Sequence, residues 1–302
     1  MRIVFMGTPD FALPSLQALI DAGHEVCAVF TQPDKPQGRK QILTAPPVKV
    51  LAQEYGIPVY QPNTLKNGKS DDIIRSYEPD FIVVVAYGKI LPKAVLEMPK
   101  KACVNVHGSL LPKYRGAAPI QWSVINGDEY AGVTTMLMSE GMDEGDILLM
   151  LKTPVGEEET GGELFDRLSD MGASLLLETL ETFDKIVPTP QNNKEATVAP
   201  ILNKDMAEID FVNKTAKENN SFIRGMNPWP VAWFTFEGKR MKVFETEISE
   251  KNGEAGKVFA HGGEMYVYCK EGALKLVTIQ PENKKQMNGS DYLRGHKIGE
   301  DK

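Results

Sequence analysis

The stretch EPDFIVVVAYGKILPKAVLEMPKKACVNVHG (78–108) contains the most strand-like run of the chain, FIVVVA (81–86). A continuously apolar run of this length is typical of a strand that is buried on both faces of a sheet. A second strand-like run, ACVNVHG (102–108), follows it, and RIVFMG (2–7) and EVCAVFT (25–31) precede it. Helix-like segments separate these runs. The alternation predicts an α/β fold with a Rossmann-like, open and mainly parallel sheet.

The character of the chain changes near residue 186. The stretch IVPTPQNNKEATVAP (186–200) is polar and contains prolines, which is typical of a linker. Beyond it, short strand-like segments with Gly-rich turns predict a smaller β-rich, OB-like barrel. We therefore expect a catalytic Rossmann-like domain at 1–189, a linker at 190–205 and a barrel domain at 206–302. The 302 residues, 42% of them hydrophobic, suffice for two cores.

Two local patterns add detail to this outline. The segment QPDKPQGRKQILTAPP (32–47) is rich in Pro and Gly and predicts a long loop. Thr160 and Glu163 have the T-x-x-E spacing of a capping box, in which each residue satisfies a free N–H at the start of a helix. The spacing predicts a long helix from this point.

Composition limits the class of function. The net charge is −7 with 25% charged residues, which indicates a soluble cytoplasmic protein and gives no general support for nucleic-acid binding. Any contact with a polyanion would depend on a local basic cluster. The three cysteines are widely spaced and predict reduced thiols, and with four scattered histidines they predict no metal site. No apolar run approaches the length of a membrane span or a signal peptide.

Common nucleotide and hydrolase motifs do not occur in the sequence. The first strand–helix turn, MGTPDFA (6–12), has a single glycine and lacks the G-x-G-x-x-G of dinucleotide sites. The phosphate loop G-x-x-x-x-G-K-[ST] and the nucleophile motif G-x-S-x-G are also absent. A dinucleotide, triphosphate or covalent-hydrolase site is therefore not supported.

Polar residues at predicted strand ends define the candidate site. Ligands of an open parallel sheet bind beyond the carboxyl ends of its strands. Asn105 and His107 lie at such an end and share one side of the strand, since Val106 points the other way. Asp143 follows a later strand. An Asn and a protonated His can stabilise the oxyanion of acyl or formyl transfer, and a carboxylate can orient the His. From the residues alone, all three are either structural or catalytic.

The segment NVHGSLLPKYRGAAPIQW (105–122) resembles the signature of the folate-dependent formyltransferases. The resemblance implies direct attack of an amine on the formyl group of 10-formyltetrahydrofolate. It implies that Asn105 and His107 hold the oxyanion, while Asp143 orients His107 and assists proton transfer. It also implies two folate-contacting segments, which comprise Tyr87, Gly88, Lys89, Ile90 and Leu91 in the first and Ser109, Leu110, Leu111 and Pro112 in the second.

Further stretches resemble members of this family that act on tRNA: MRIVFMGTPDFA (1–12), TQPDKPQGRK (31–40), GMDEGDIL (141–148) and GMNPWPVAW (225–233). They imply that the amine belongs to methionyl initiator tRNA and that the product serves translation initiation. Basic residues in the 31–40 loop and in the second domain would then contact the RNA. These are Lys35, Arg39, Lys40, Lys239, Arg240, Lys284 and Lys285.

Two alternative functions are compatible with the same residues. One is a formyltransferase that acts on an amino-sugar nucleotide, and the other is a non-catalytic module that binds tRNA or folate. The presence of both an oxyanion donor and a proton carrier argues against a binding module, because binding alone requires neither. We expect a monomer without a membrane association.

Overall fold

A computed structural model describes residues 1–38 and 40–300. The strands are β1 (Arg2–Gly7), β2 (Glu25–Phe30), β3 (Lys35–Gln37), β4 (Ile42–Thr44), β5 (Val59–Tyr60), β6 (Phe81–Val85), β7 (Ala102–His107), β8 (Arg115–Gly116), β9 (Tyr130–Leu137), β10 (Ile147–Pro154), β11 (Val198–Ala199), β12 (Trp233–Phe236), β13 (Lys239–Ser249), β14 (Val258–His261), β15 (Glu264–Tyr268), β16 (Ala273–Pro281) and β17 (Met287–Asn288). The α-helices are α1 (Leu13–Asp21), α2 (Pro47–Glu54), α3 (Asp71–Ser76), α4 (Lys93–Leu96), α5 (Pro119–Ile125), α6 (Gly161–Thr182), α7 (Ala216–Gly225) and α8 (Gly289–Leu293).

The first compact unit contains the predicted open sheet and comprises Met1–Ala117, Ala131–Thr153 and Phe165–Ala199. In the described part of the chain its strands follow the order β10-β9-β7-β6-β1-β2-β5. The neighbours from β5 to β7 pair in parallel, and β9 runs antiparallel to β7. All five residues of β6 are buried, as its continuous apolar run indicates. The prediction of a Rossmann-like, mainly parallel sheet is confirmed.

The 32–47 segment is more ordered than the loop that its composition predicts. Strands β3 and β4 pair antiparallel and form a short hairpin, with Gly38 at a φ of 68° in the turn. Glycine adopts this left-handed conformation without a Cβ penalty. The β-branched residues Ile42 and Thr44 then favour the returning strand. The long loop predicted from the Pro- and Gly-rich composition therefore contains a short hairpin, because its glycine supplies the turn and its β-branched residues supply a strand.

The second compact unit takes in residues 118–130, residues 154–164 and the chain from Pro200 onward. Its sheet follows the order β12-β13-β16-β15-β14, and β17 pairs with β16. The pairings between these described strands are antiparallel, and the sheet curls into a half-barrel. The β-rich second domain is therefore confirmed. The boundaries at 189 and 205 expected from the sequence stay a prediction.

The helix predicted from the capping box is α6. The Thr160 main-chain N–H donates to the Glu163 carboxylate at 2.9 Å, and the Glu163 N–H donates to Thr160 Oγ1 at 3.2 Å. These two bonds satisfy donors that have no partner within the helix. Residues of the helix from Phe165 onward pack in the first unit and cover the face of β7 that carries Val106.

The three cysteines, Cys27, Cys103 and Cys269, are free thiols and all are buried. Burial raises the pKa of Cys103 to about 12 and that of Cys269 to about 11. Their thiolate forms are thus suppressed near neutral pH. Within residues 1–38 and 40–300, helices that combine the length and the apolar character of a membrane span are not found.

Candidate active site

Strand β7 presents Asn105 and His107 on one face. Asn105 lies between Val84 of β6 and Met136 of β9 in the sheet register. A Cβ added at Gly172 of α6 would lie 2.9 Å from Val106 Cγ1, so Val106 points toward this helix and its two polar neighbours point away. Asn105 is 7% exposed and His107 is 6% exposed. No hydrogen bond joins the Asn105 side chain to another described residue.

The His107 ring is oriented by a main-chain carbonyl. Its Nε2 lies 2.9 Å from the carbonyl oxygen of Tyr114. Since a carbonyl oxygen only accepts, Nε2 carries a hydrogen, and in the neutral ring Nδ1 holds the lone pair. Nδ1 lies 3.7 Å from Asp143 Oδ2. This separation is longer than a hydrogen bond, but it is short enough for a favourable ionic interaction once Nδ1 is protonated.

Asp143 reaches the ring from the loop between β9 and β10. Its φ is 55°, which lies in the left-handed region that Asp adopts more readily than most residues. Its Oδ2 accepts a hydrogen bond of 2.8 Å from the Gly116 N–H. The structure therefore brings Asp143 beside His107, as the sequence predicts, and places Asn105 on the same face of β7.

The segment Tyr114 to Gly116 belongs to the site, although the sequence assigns no role to its individual residues within the 105–122 signature. Its Tyr114 carbonyl holds His107 and its Gly116 N–H holds Asp143. The segment itself is fixed from the other side, since Tyr114 N–H donates to Thr197 Oγ1 at 2.8 Å and β8 pairs in parallel with β11. Backbone atoms make these contacts, so no side-chain motif identifies them. The glycine at 116 is the one side-chain choice that reflects this geometry, because its φ of 121° favours glycine.

A Gly116→Ala variant tests this role of the segment. A Cβ at this position would lie 2.7 Å from the Ala199 carbonyl oxygen, and the φ is unfavourable for an L-residue. We expect a loss of at least about 2 kcal/mol in the free energy of unfolding, together with a loss of activity. The control is Gly23→Ala, where the φ is 74° but no atom lies within 4 Å of the added Cβ. Equal destabilisation of the two variants, measured by urea unfolding, would contradict the close approach to Ala199.

The first predicted folate segment, 87–91, presents main chain more than side chains. Tyr87 and Leu91 are each 1% exposed and lie in the core. Burial raises the pKa of Tyr87 to about 12, and its hydroxyl has no hydrogen-bond partner among the described residues. Lys89 Nζ donates to the carbonyl oxygens of Pro62 and Asn63, and burial, with Lys35 adding to it, lowers the pKa of Lys89. Gly88 and Ile90 are the exposed members.

Side chains that follow the carboxyl ends of β1 and β2 hold this segment in place. The Gln32 Nε2 donates to the carbonyl oxygens of Tyr87 and Gly88 at 3.1 and 3.0 Å. Thr8 Oγ1 donates to the Tyr87 oxygen at 3.1 Å. The backbone after β6 is therefore fixed before any ligand binds, as a site that recognises a flat heterocycle through main-chain groups requires.

The second predicted folate segment, 109–112, forms a turn with internal hydrogen bonds. Ser109 Oγ donates to the Lys113 carbonyl at 2.6 Å, and the Ser109 carbonyl accepts from Thr134 Oγ1 at 2.6 Å. Thr134 Oγ1 in turn accepts from the Leu111 N–H at 3.2 Å. Ser109 and Leu111 are buried, whereas Leu110 and Pro112 are partly exposed.

The predicted RNA-contacting residues lie on the surface of each unit. In the first unit, Lys35 and Lys40 are exposed on the hairpin, and Arg39 lies outside the described residues. In the second unit the start of β13 pairs with the end of β16, because Met241 lies opposite Pro281. The exposed basic pairs that precede Met241 and follow Pro281 therefore belong to the same end of that sheet. They are Lys239 and Arg240, and Lys284 and Lys285.

Metal ligands are not grouped in the described part of the chain. Within residues 1–38 and 40–300, no three or more His, Cys, Asp or Glu side chains lie together in a way that could hold a metal ion. The contacts at Asn105, His107 and Asp143 form instead a set of hydrogen-bond donors and one carboxylate. Such a set can stabilise a developing negative oxygen and move a proton.

Comparison with known proteins assigns the class. The family profile described as "Formyl transferase" matches residues 1–180, and the profile described as "Formyl transferase, C-terminal domain" matches residues 201–297. The chain belongs to the formyl transferase family. Similar curated relatives are named methionyl-tRNA formyltransferase: that of Lachnospira eligens is 47% identical over 99% of this chain and 98% of its own length, and that of Desulfotalea psychrophila is 49% identical over 99% and 94%.

Solved structures share the fold at lower sequence identity. HypX from Aquifex aeolicus in complex with tetrahydrofolic acid matches with a TM-score of 0.64 and 18% identity; the match covers 100% of this chain and 48% of HypX, so this chain spans about half of that protein. WlaRD, a sugar 3N-formyl transferase, matches with a TM-score of 0.70 and 18% identity over 94% of this chain and 99% of its own. At these identities the likeness concerns the fold alone.

Proposed function

We propose that this chain transfers the formyl group of 10-formyltetrahydrofolate to the α-amino group of methionyl initiator tRNA. The observation that carries the proposal is the near-full-length similarity to proteins of that activity, at 45–49% identity over 99% of the chain. The product, formylmethionyl-tRNA, serves translation initiation. The arrangement of Asn105, His107 and Asp143 supports the chemistry that this reaction needs.

The reaction begins when the amine nitrogen attacks the formyl carbon. A C–N bond forms, and the formyl C=O becomes a single bond whose oxygen carries the negative charge. The Asn105 amide can donate to this oxygen because no other described residue forms a hydrogen bond with that amide. His107 can also donate from Nδ1 once Nδ1 has taken the proton that the attacking nitrogen loses, since Nε2 is already bonded to the Tyr114 carbonyl. Donors held in advance at a buried site stabilise the oxyanion without reorganisation.

The second half of the reaction moves one proton. The attacking nitrogen must lose a proton, and N10 of the folate must gain one as its bond to the formyl carbon breaks. His107 with Asp143 at 3.7 Å forms a pair that can hold this proton on Nδ1 and return it. General acid–base assistance of this kind contributes about 100- to 10,000-fold to a rate. No covalent enzyme intermediate is needed.

The substrates would bind on different parts of the surface. The fixed main chain of segment 87–91 and the turn at 109–112 are proposed to contact the pterin and its neighbouring ring. The exposed hairpin lysines and the basic pairs of the second unit are proposed to contact RNA phosphates. Arg240 also stacks on Trp233, with its guanidinium carbon 3.9 Å from the ring centroid, which keeps its charge at a fixed position.

A double variant, Lys35→Ala with Lys40→Ala, tests the hairpin. We expect a higher KM for tRNA and an unchanged KM for folate. We also expect a weaker salt dependence of tRNA binding, by about 0.7 in the logarithmic slope for each lost contact to a single strand. The matched control is Lys66→Ala with Lys69→Ala, which removes two exposed lysines outside the hairpin. If both double variants change the two KM values alike, the hairpin has no part in RNA recognition.

The proposed function is tested by direct assay. The purified chain is mixed with 10-formyltetrahydrofolate and methionyl initiator tRNA, and formylmethionyl-tRNA is measured. Parallel reactions contain a nucleotide-linked amino sugar in place of the tRNA. Formylation of the sugar but not of the tRNA would reject the proposal in favour of a sugar formyltransferase. Binding of tRNA or folate without any product would identify a binding module.

A further inference from the structure

We propose that Gln191 is a positioning residue for Asp143 and that it acts through the main chain of the loop that carries this carboxylate. The inference rests on the proposed formyl transfer, in which Asp143 must lie beside the His107 ring. Gln191 lies within the 186–200 stretch, which the sequence alone presents as a linker. Its contacts in the structure indicate a different role.

The Gln191 amide holds the Asp143 loop from its main-chain side. Its Nε2 donates to the Asp143 carbonyl oxygen at 2.9 Å and to the Gly145 carbonyl oxygen at 2.8 Å. An amide NH₂ group has two hydrogens, so both are used on this loop. The loop therefore depends on a residue that lies 48 positions away in sequence from Asp143.

The conformation of this loop needs such support. The φ of 55° at Asp143 is rare for a residue with a side chain and has a free-energy cost that neighbouring contacts must offset. The loop also approaches β9 closely, because a Cβ added at Gly145 would lie 1.8 Å from the Leu137 carbonyl oxygen. Without the Gln191 hydrogen bonds, Asp143 can relax toward ordinary backbone angles, which moves its carboxylate from His107.

Arg115 fixes the orientation of Gln191. The Gln191 Oε1 accepts from Arg115 Nε at 3.1 Å and from Arg115 Nη2 at 2.7 Å. With two donors and two lone pairs used, the carboxamide is fully satisfied. A flipped amide would place NH₂ against the guanidinium and oxygen against two carbonyls, so only one orientation is stable. Bonds to a charged donor are also stronger than neutral ones.

Segment 114–116 acts on Asp143 by two routes, one direct and one through Gln191. Gly116, the residue after Arg115, donates its N–H to the Asp143 carboxylate at 2.8 Å. Arg115 acts on the other side of Asp143 through Gln191, and the Tyr114 carbonyl holds the His107 ring at 2.9 Å. The separation of His107 and Asp143 is therefore set by one segment, 114–116, and Gln191 completes the connection to the loop.

Steady-state kinetics of Gln191→Ala test the proposal. We expect kcat to fall about 10- to 100-fold, as for other residues that orient a catalytic group, with both KM values within about threefold of wild type. The matched control is Asn193→Ala, whose Oδ1 also accepts from Arg115 Nη2, at 2.8 Å, without a contact to the loop. Equal losses in the two variants would overturn the proposal, because they would trace the effect to Arg115 alone.

A second variant covers the case in which Gln191→Ala does not fold. Gln191→Glu retains an acceptor for Arg115 and gains an ion pair with it, but loses both donors to the loop. We expect the ion pair with Arg115 to keep the variant folded, with a lowered thermal midpoint because its second carboxylate oxygen faces the Asp143 and Gly145 carbonyls, and with the same loss of kcat. Wild-type kcat in Gln191→Glu would overturn the proposal, since the loop would not need the donors.

Coupling to Asp143 separates positioning from general stability. If Gln191 acts through the Asp143 carboxylate, Gln191→Ala adds less than about twofold to the loss in an Asp143→Asn background. A further loss in kcat equal to that of the single variant would overturn the proposal.

Hydrogen exchange at the Gly116 amide gives a readout that needs no substrate. This N–H is bonded to the Asp143 carboxylate, so displacement of the loop in Gln191→Ala is expected to raise its exchange rate at least tenfold, with wild-type exchange in β1 and β6. An unchanged rate would overturn the positioning role even if the wild-type chain did not formylate methionyl-tRNA. Absence of that product from wild type would instead reject the proposed function.

Discussion

An Asn105→Ala variant is expected to lose about 100- to 1000-fold of kcat, the usual cost of removing one donor to an oxyanion. The reason is that the Asn105 amide has no hydrogen-bond partner among residues 1–38 and 40–300 and shares the face of β7 with His107. Its hydrogen-bonding capacity is thus available for the formyl oxygen. KM for folate and for tRNA should change little, because the donor acts on charge that develops only in the transition state.

Stability measurements distinguish this loss from unfolding. Since the side chain makes no hydrogen bond in the described structure, its removal leaves no buried partner unsatisfied, and the thermal midpoint should stay within a few degrees of wild type. Cys103→Ala is the control, because Cys103 lies on the same face of the same strand two residues earlier and is also buried. The oxyanion role would be refuted by an Asn105→Ala enzyme with near-wild-type kcat under single-turnover conditions.

The second large effect is expected from Asp143→Asn, with a loss of about 100- to 10,000-fold in kcat. The Asn oxygen can still accept from the Gly116 N–H, as Asp143 Oδ2 does at 2.8 Å. Its NH₂ group would then face the Nδ1 lone pair of His107. This NH₂ group cannot accept a hydrogen bond from a proton on Nδ1, and the carboxylate that lies 3.7 Å from Nδ1 in the wild type is gone. The proton carrier is therefore lost without a change in shape.

Asn is also suited to the backbone at this position, so the variant should fold. Asn and Asp both adopt the left-handed region more readily than other residues with side chains, and φ at Asp143 is 55°. Glu140→Gln removes an exposed carboxylate from the same loop and serves as the control. Single-turnover formyl transfer and folate binding are measured for both variants. A loss of less than threefold in the rate of formyl transfer by Asp143→Asn would show that the carboxylate is not needed.

Much of the fold follows from local patterns. The apolar runs of β1, β2, β6 and β7 predict the buried parallel strands, because a short segment that is apolar throughout is typical of a strand covered on both faces of a sheet. The alternation of Asn105, Val106 and His107 predicts the shared face, since the side-chain period of a strand is two. The capping box at Thr160 likewise predicts the start of α6. Each of these signals lies within a few neighbouring residues.

The missed parts depend on contacts between distant residues. The 186–200 stretch is polar and contains prolines, yet Thr197 and Gln191 bond to Tyr114 and to the Asp143 loop across 83 and 48 residues. A short stretch of sequence does not predict such pairs, because the two partners lie far apart along the chain. The roles of the Tyr114 carbonyl and the Gly116 N–H are likewise not predicted by the 105–122 motif that contains them, because every residue has a carbonyl and almost every residue has an N–H.

The parallel pairing of β8 with β11 has a consequence for biosynthesis. A ribosome that has made this chain as far as Thr182 has already produced every strand of the first sheet and the helix that covers β7. Thr197 and Ala199 are synthesised only afterwards. Thr197 accepts a hydrogen bond from the Tyr114 N–H, and Ala199 pairs with Gly116. A nascent chain that stops short of them would contain every strand of this sheet but would lack these contacts to segment 114–116. The segment that contacts both His107 and Asp143 is therefore fixed in place only after Ala199 has left the ribosome.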